Sequence, residues 1–143
     1  MKKIYNIIEE PKGDVYRLLL QHGLKYCDSF QFVVPHHIHE NAQVKISIDL
    51  FKKFFIDKKE EAEWPGTKLV EGTATVYLYR FNNESCKILC ELVSELYKWV
   101  QPDLPEDLCL KRGNGTPWLA STTFEEDAYL ELTEVEMIEL RNF

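Results

Sequence analysis

Between Thr73 and Phe81 the chain alternates with a period of two, and both of the resulting faces are largely apolar. Ala74, Val76 and Leu78 fall on one side; Thr75, Tyr77, Tyr79 and Phe81 fall on the other. A strand that is apolar on both sides has to be covered on both sides, so this segment predicts the interior of a sheet. Such a strand needs others to flank it. Phe30-Gln31-Phe32-Val33-Val34 is aromatic and β-branched, is closed by Pro35, and reads as a second strand. Late in the chain, Leu108–Arg112, Pro117–Thr122 and Ala128–Leu132 follow one another closely, with Gly113-Asn114-Gly115 as the first turn. That spacing predicts a β-meander. Thr133-x-x-Glu136 then forms a capping box, which opens a short final helix through Leu140.

The remaining segments supply helices and two further strands. Met1 to Ile8 reads as a first strand. Asp14 is a suitable N-cap, and Val15, Leu18, Leu19 and His22 recur at one helical face, ended by Gly23. Val44, Ile46 and Ile48 alternate with Lys45, Ser47 and Asp49, the period of a half-buried strand. Leu50, Phe51, Phe54 and Phe55 then fit a helical face, with Lys58 to Glu63 as its solvated end. Trp64-Pro65-Gly66-Thr67 is a turn. Asn82 or Asn83 caps a helix whose apolar stripe is Cys86, Leu89, Cys90, Val93, Leu96 and Tyr97, and Pro102 and Pro105 fall beyond its end. The order is that of an α+β fold: one domain over residues 1–143, a mostly antiparallel sheet of about five to seven strands, and three to four helices packed on it.

A chain of 143 residues buries roughly two-thirds of its unfolded surface and needs no disulfide or metal to fold. The net charge of −7 and a pI near 5.1 argue against nucleic acid and anionic membrane surfaces, both of which call for basic stripes. They suit a basic protein partner, and they are also the ordinary acidity by which many cytoplasmic proteins stay soluble. Met1-Lys2-Lys3 leads into a short apolar stretch broken by Asn6, which lacks the core and cleavage site of a secretory leader. Cys27, Cys86, Cys90 and Cys109 contain no C-x-x-C pair and read as reduced, small core residues. The expected setting is the cytoplasm.

Two groups of residues could carry function. Pro35-His36-His37-Ile38-His39-Glu40 gathers three of the four histidines and a carboxylate. On an extended backbone, His37 and His39 share one side while His36 and Glu40 share the other, a spacing that can offer two ligands to a transition metal. A third would come from Cys27, His22 or a distant carboxylate. Read structurally, the same segment is a polar loop after a strand. Second, Glu125, Glu126 and Asp127 open an acidic C-terminal quarter, and Trp64 and Trp118 lie beside turns. Such carboxylates and aromatics can dock a basic partner; they can equally be a solvated face and caps on the core. Cys86 and Cys90 share a helical face but lie on its apolar stripe. No phosphate loop, G-x-S-x-G elbow or H-E-x-x-H helix is present in the sequence.

Leu104-Pro-Glu-Asp-Leu-Cys-Leu, Gly115-Thr-Pro-Trp-Leu and Asp127-Ala-Tyr-Leu-Glu-Leu-Thr133 resemble the C-terminal part of small bacterial proteins of uncharacterised activity, and the Trp64-Pro-Gly-Thr67 turn fits the same pattern. The likeness covers about half the chain and implies no reaction. In size, acidity and α+β pattern the chain also looks like bacterial immunity proteins, which neutralise a toxin by binding it. That resemblance implies a non-catalytic interaction module. The histidine-based metal protein or enzyme is the alternative, and a small-molecule sensor is a second one.

Overall fold

The computed structural model describes residues 1–141. Seven strands form a fully antiparallel sheet: β1 (Lys3–Asn6), β2 (Cys27–Val34), β3 (Phe55–Glu61), β6 (Ala74–Arg80), β7 (Glu106–Arg112), β8 (Pro117–Thr122) and β9 (Asp127–Leu132). Their spatial order is β1-β9-β8-β7-β2-β6-β3. Between β3 and β6 lies a small hairpin of β4 (Glu63–Trp64) and β5 (Thr67–Lys68), turned by Pro65-Gly66. The helices are α1 (Asp14–Gly23), α2 (Ala42–Leu50), α3 (Asn83–Leu92) and α4 (Glu134–Arg141). The fold is α+β, with β7-β8-β9 as a meander followed by the short α4, in line with the reading from sequence. No helix among the described residues is long and apolar enough to cross a membrane.

The pleat sorts the residues. Phe30, Phe32 and Val34 of β2 stand beside Tyr77 and Tyr79 of β6 and Leu110 of β7. They join Leu19 and Leu20 of α1, Val44 of α2 and Leu89 of α3 in one apolar cluster. The opposite face carries a smaller cluster of Val33, Ala74 and Val76, against which Trp64 of the hairpin packs. β6 is thus flanked on both edges and covered on both faces, as its double apolar pattern requires. Trp99 is fully buried; its Nε1 donates to the Tyr16 hydroxyl at 3.0 Å, which in turn donates to the Leu89 carbonyl at 2.8 Å. Asn82 caps α3 in a reciprocal box with Ser85, and Thr133 and Glu136 form the expected box at α4.

Several readings change, among them the cap of α1: Gly13 precedes the helix, and Asp14 is its first residue and makes no side-chain cap bond. Val44–Ile48 is helical, not extended: Asn41 accepts from Gln43 N at 2.8 Å and Val44 N at 3.2 Å, which caps α2. Five alternating residues fit either period, and burial follows the helical one, with Val44, Ser47 and Phe51 inside and Ile46 exposed. The next segment is reversed as well. After one 3-10 turn at Lys52–Phe54, the expected helix and its charged end become β3. β3 pairs only with β6, and an edge strand tolerates charges that a central one would not. In α1 the buried residues are Tyr16, Leu19, Leu20 and Gly23, so the helix is rotated by one residue and Val15 and Leu18 face outward. In α3 the stripe stops at Leu92, and Leu96 reaches the core from a separate 3-10 turn.

Gly23 is the last helical residue of α1 and not a residue beyond its end. A Cβ there would sit 2.9 Å from Leu110 Cδ1 and 3.1 Å from Trp118 Cζ3. Both neighbours are fully buried and cannot swing away. Gly23→Ala is therefore expected to destabilise the fold by about 1–3 kcal/mol of overpacking, exceeding the helix-propensity gain of up to about 1 kcal/mol. Urea unfolding checks this; a stabilised variant would show that the core yields at this point.

Candidate functional site

In an antiparallel sheet the end of β2 meets the starts of β6 and β7 and the end of β8. At this end the β4–β5 hairpin folds over the face away from the helices. The hairpin is held by two contacts to the meander. Trp64 Nε1 donates to Asp107 Oδ2 at 2.8 Å, and Thr122 Oγ1 donates to the Gly66 carbonyl at 3.2 Å. Gly66 has φ +90°, and a Cβ on it would collide with the Thr122 hydroxyl, so the turn admits glycine alone without rearrangement. Between hairpin, sheet end and the 3-10 turn His36–Ile38 lies a cleft of about 550 Å³, bordered among others by Val33, Leu69, Trp64, Phe124 and Glu106.

Asp107 organises the cleft. Its Oδ1 accepts from Thr123 N at 2.8 Å and from Thr123 Oγ1 at 3.0 Å, while Oδ2 holds the Trp64 indole. Its backbone adopts φ +57°, a left-handed conformation that Asp tolerates better than most residues. Such strain persists only where surrounding bonds enforce it, and three bonds to one carboxylate do so here.

Glu106, one residue earlier, is 7% exposed. Its Oε1 accepts from Gln101 Nε2 at 3.1 Å, and Gln101 Oε1 lies 2.5 Å from His37 Nε2. Gln101 thus bridges the His37 ring and the Glu106 carboxylate. Among the described residues no hydrogen bond reaches Glu106 Oε2. Burial, and then the adjacent Asp107 carboxylate, push the Glu106 carboxyl up to about 7; the Gln101 bond and His37 pull it down. A carboxyl shifted this way in a cleft marks a candidate functional position.

The cleft unites residues from both groups singled out in the sequence. His36, His37, Trp64 and Glu125 all border it; Glu126, which borders a separate hollow with Glu10 and Tyr97, and Asp127, the first residue of β9, are exposed beyond it. The histidines do not converge on a point. His36 pairs with Glu60 at 2.7 Å, His37 faces Gln101, His39 stacks on His36 with ring centres 5.4 Å apart, and Glu40 turns outward to Lys45 at 2.8 Å. Glu60 is held below the usual carboxylate range, first by the Thr75 hydroxyl at 2.6 Å and also by His36. Among the described residues no three His, Cys, Asp or Glu side chains gather in a geometry that would hold a metal ion. Trp118 is a correction: it is fully buried against His22 and Tyr26 and has no surface to offer a partner. Its place in an inward-facing stretch of β8, beneath α1, removes it from the docking set.

No family model, curated protein or solved structure gives a significant match to the chain. The site therefore rests on its own geometry. Sequence reasoning missed Glu106, Asp107, Gln101 and Phe124. One signal was present: two adjacent carboxylates, Glu106-Asp107, open a strand whose next three residues, Leu108-Cys109-Leu110, are apolar. Acidic groups carried into a buried strand need partners or a task.

Proposed function

We propose that the protein is a non-catalytic interaction module, of immunity or accessory type, which binds a basic protein partner at the cleft and its acidic rim. The observation that carries this reading is the convergence of exposed Phe124 (70% exposed) and half-buried Trp64 with Glu125 and the buried Glu106 around one opening. Aromatics in a partly desolvated pocket supply contact energy, and carboxylates around them supply register and encounter rate. The net charge of −7 favours the same kind of partner and disfavours nucleic acid. The four cysteines are free thiols, in keeping with a reducing cytoplasmic setting.

The test begins with affinity capture from the cells that make the protein, followed by titration of the purified partner. Neutralising Glu125 at the rim and the acidic residues next to it, with Glu125→Gln, Glu126→Gln and Asp127→Asn together, is expected to weaken binding about tenfold at low salt, and the deficit is expected to shrink as salt rises. A partner whose affinity ignores both salt and the triple variant would overturn the reading. A cleft of about 550 Å³ also lies in the size range of small-molecule pockets, which favours a sensor as the second reading. Saturable, salt-independent binding of small neutral fragments would select it.

A further inference from the structure

We propose that the cleft seats a primary ammonium group on an alkyl stem, the side chain of a lysine, with Glu106 as its counter-charge. This rests on the reading that a basic protein docks here, and it names the group that enters. Glu106 is more than nine-tenths buried, and one of its oxygens faces the cleft with no hydrogen bond from the described residues. Among the described residues that border the cleft there is no lysine or arginine, whereas Glu106, Asp107 and Glu125 all do. His36 and His37 also border it, yet His36 is spent on Glu60 and His37 reaches Glu106 only through Gln101. A buried carboxylate without a cation is costly, and an arriving cation removes that cost.

The number of open oxygens selects the cation. A guanidinium binds best as a fork, with two parallel bonds to two free carboxylate oxygens. Gln101 occupies Oε1, and Asp107 has both oxygens committed, so the buried floor of the site offers one acceptor point, while the Glu125 carboxylate stands exposed at the border. An ammonium is a point donor and fits it. The walls suit the stem. Val33 and Leu69 are apolar, the Trp64 ring is fixed by its bond to Asp107, and the Phe124 ring stands at the mouth. Methylenes pack on such surfaces, and ring faces attract the charged head.

The experiment is a nuclear magnetic resonance titration with three probes, Nα-acetyl-lysine amide, Nα-acetyl-arginine amide and Nα-acetyl-norleucine amide, following the Trp64 indole N–H and the Gln101 side-chain amide. The lysine probe is expected to shift both signals saturably. Glu106→Gln, which keeps the acceptor for Gln101, is expected to weaken it about tenfold or more. Phe124→Ala, at an exposed position, is expected to weaken it a few-fold. The norleucine probe should not saturate, and the arginine probe should bind several-fold more weakly. Lysine binding that is unchanged in Glu106→Gln or matched by norleucine overturns the proposal, and arginine binding equal to lysine overturns the choice of cation. Failure of the docking reading would look different: the lysine probe would still require Glu106, while the whole partner would ignore neutralisation of Glu125, Glu126 and Asp127.

Discussion

Glu136→Ala is expected to destabilise the fold by about 3 kcal/mol, the scale for breaking a buried ion pair from one side. Glu136 Oε1 and Oε2 accept from Arg112 Nη2 and Nη1 at 2.7 and 2.8 Å, a bidentate pair whose side chains are 14% and 9% exposed. Arg112 Nη2 also donates to the Glu131 carbonyl at 2.8 Å, and Glu136 Oε1 receives the Thr133 N–H at 2.8 Å. One carboxylate thus joins β7, β9 and the first turn of α4. Removing it leaves the half-buried Arg112 guanidinium with the Glu131 carbonyl as its remaining partner among the described residues, and uncaps the helix. The Arg112 guanidinium beside Glu136 holds its carboxyl below the usual carboxylate range. The sign follows: the unfolded chain takes up this proton at higher pH than the folded one, so the pair stabilises above the ordinary carboxylate range. That contribution is lost as pH falls through the lowered value. Urea unfolding across acidic pH should show this loss in the native protein and a flatter profile in Glu136→Ala.

Glu106→Gln should move stability the other way. With a folded pKa raised to about 7, the native state keeps a proton that the unfolded chain has released above its ordinary value. Stability therefore falls as pH rises from the ordinary carboxylate range to about 7, and the full cost of the buried charge is present above that. Glutamine cannot ionise, so the variant is expected to exceed the native protein by up to about 3 kcal/mol at pH 8 and to match it near pH 4. Denaturant unfolding at both pH values decides the matter; parallel profiles would show that Glu106 is solvated or already paired. A residue that lowers stability at working pH is commonly retained for what it binds.

Much of the architecture could be read from local pattern. The double apolar alternation of Thr73–Phe81, the Asn82 cap, the Pro65-Gly66 turn and the Thr133–Glu136 box are each settled within a few residues, and the structure contains them all. Val44–Ile48 was ambiguous because five residues cannot separate a period of two from one of 3.6, and the deciding Asn41 cap lies outside the apolar pattern. Lys58–Glu61 looked like a solvated helix because charge alone does not distinguish a helix end from an edge strand. The site was less legible. His37 and Gln101 are 64 positions apart and Trp64 and Asp107 are 43 apart, so their meeting is a product of sheet order. Glu106 and Asp107 differ in role only through their partners, which no local window contains.

Asp107 clasps the hairpin with one oxygen and the turn after β8 with the other. Roof and doorstep of the opening are consequently fastened to a single hinge pin. A guest that presses on the indole loads the same carboxylate that shapes the acidic loop, so the two halves of the mouth answer together to whatever enters it.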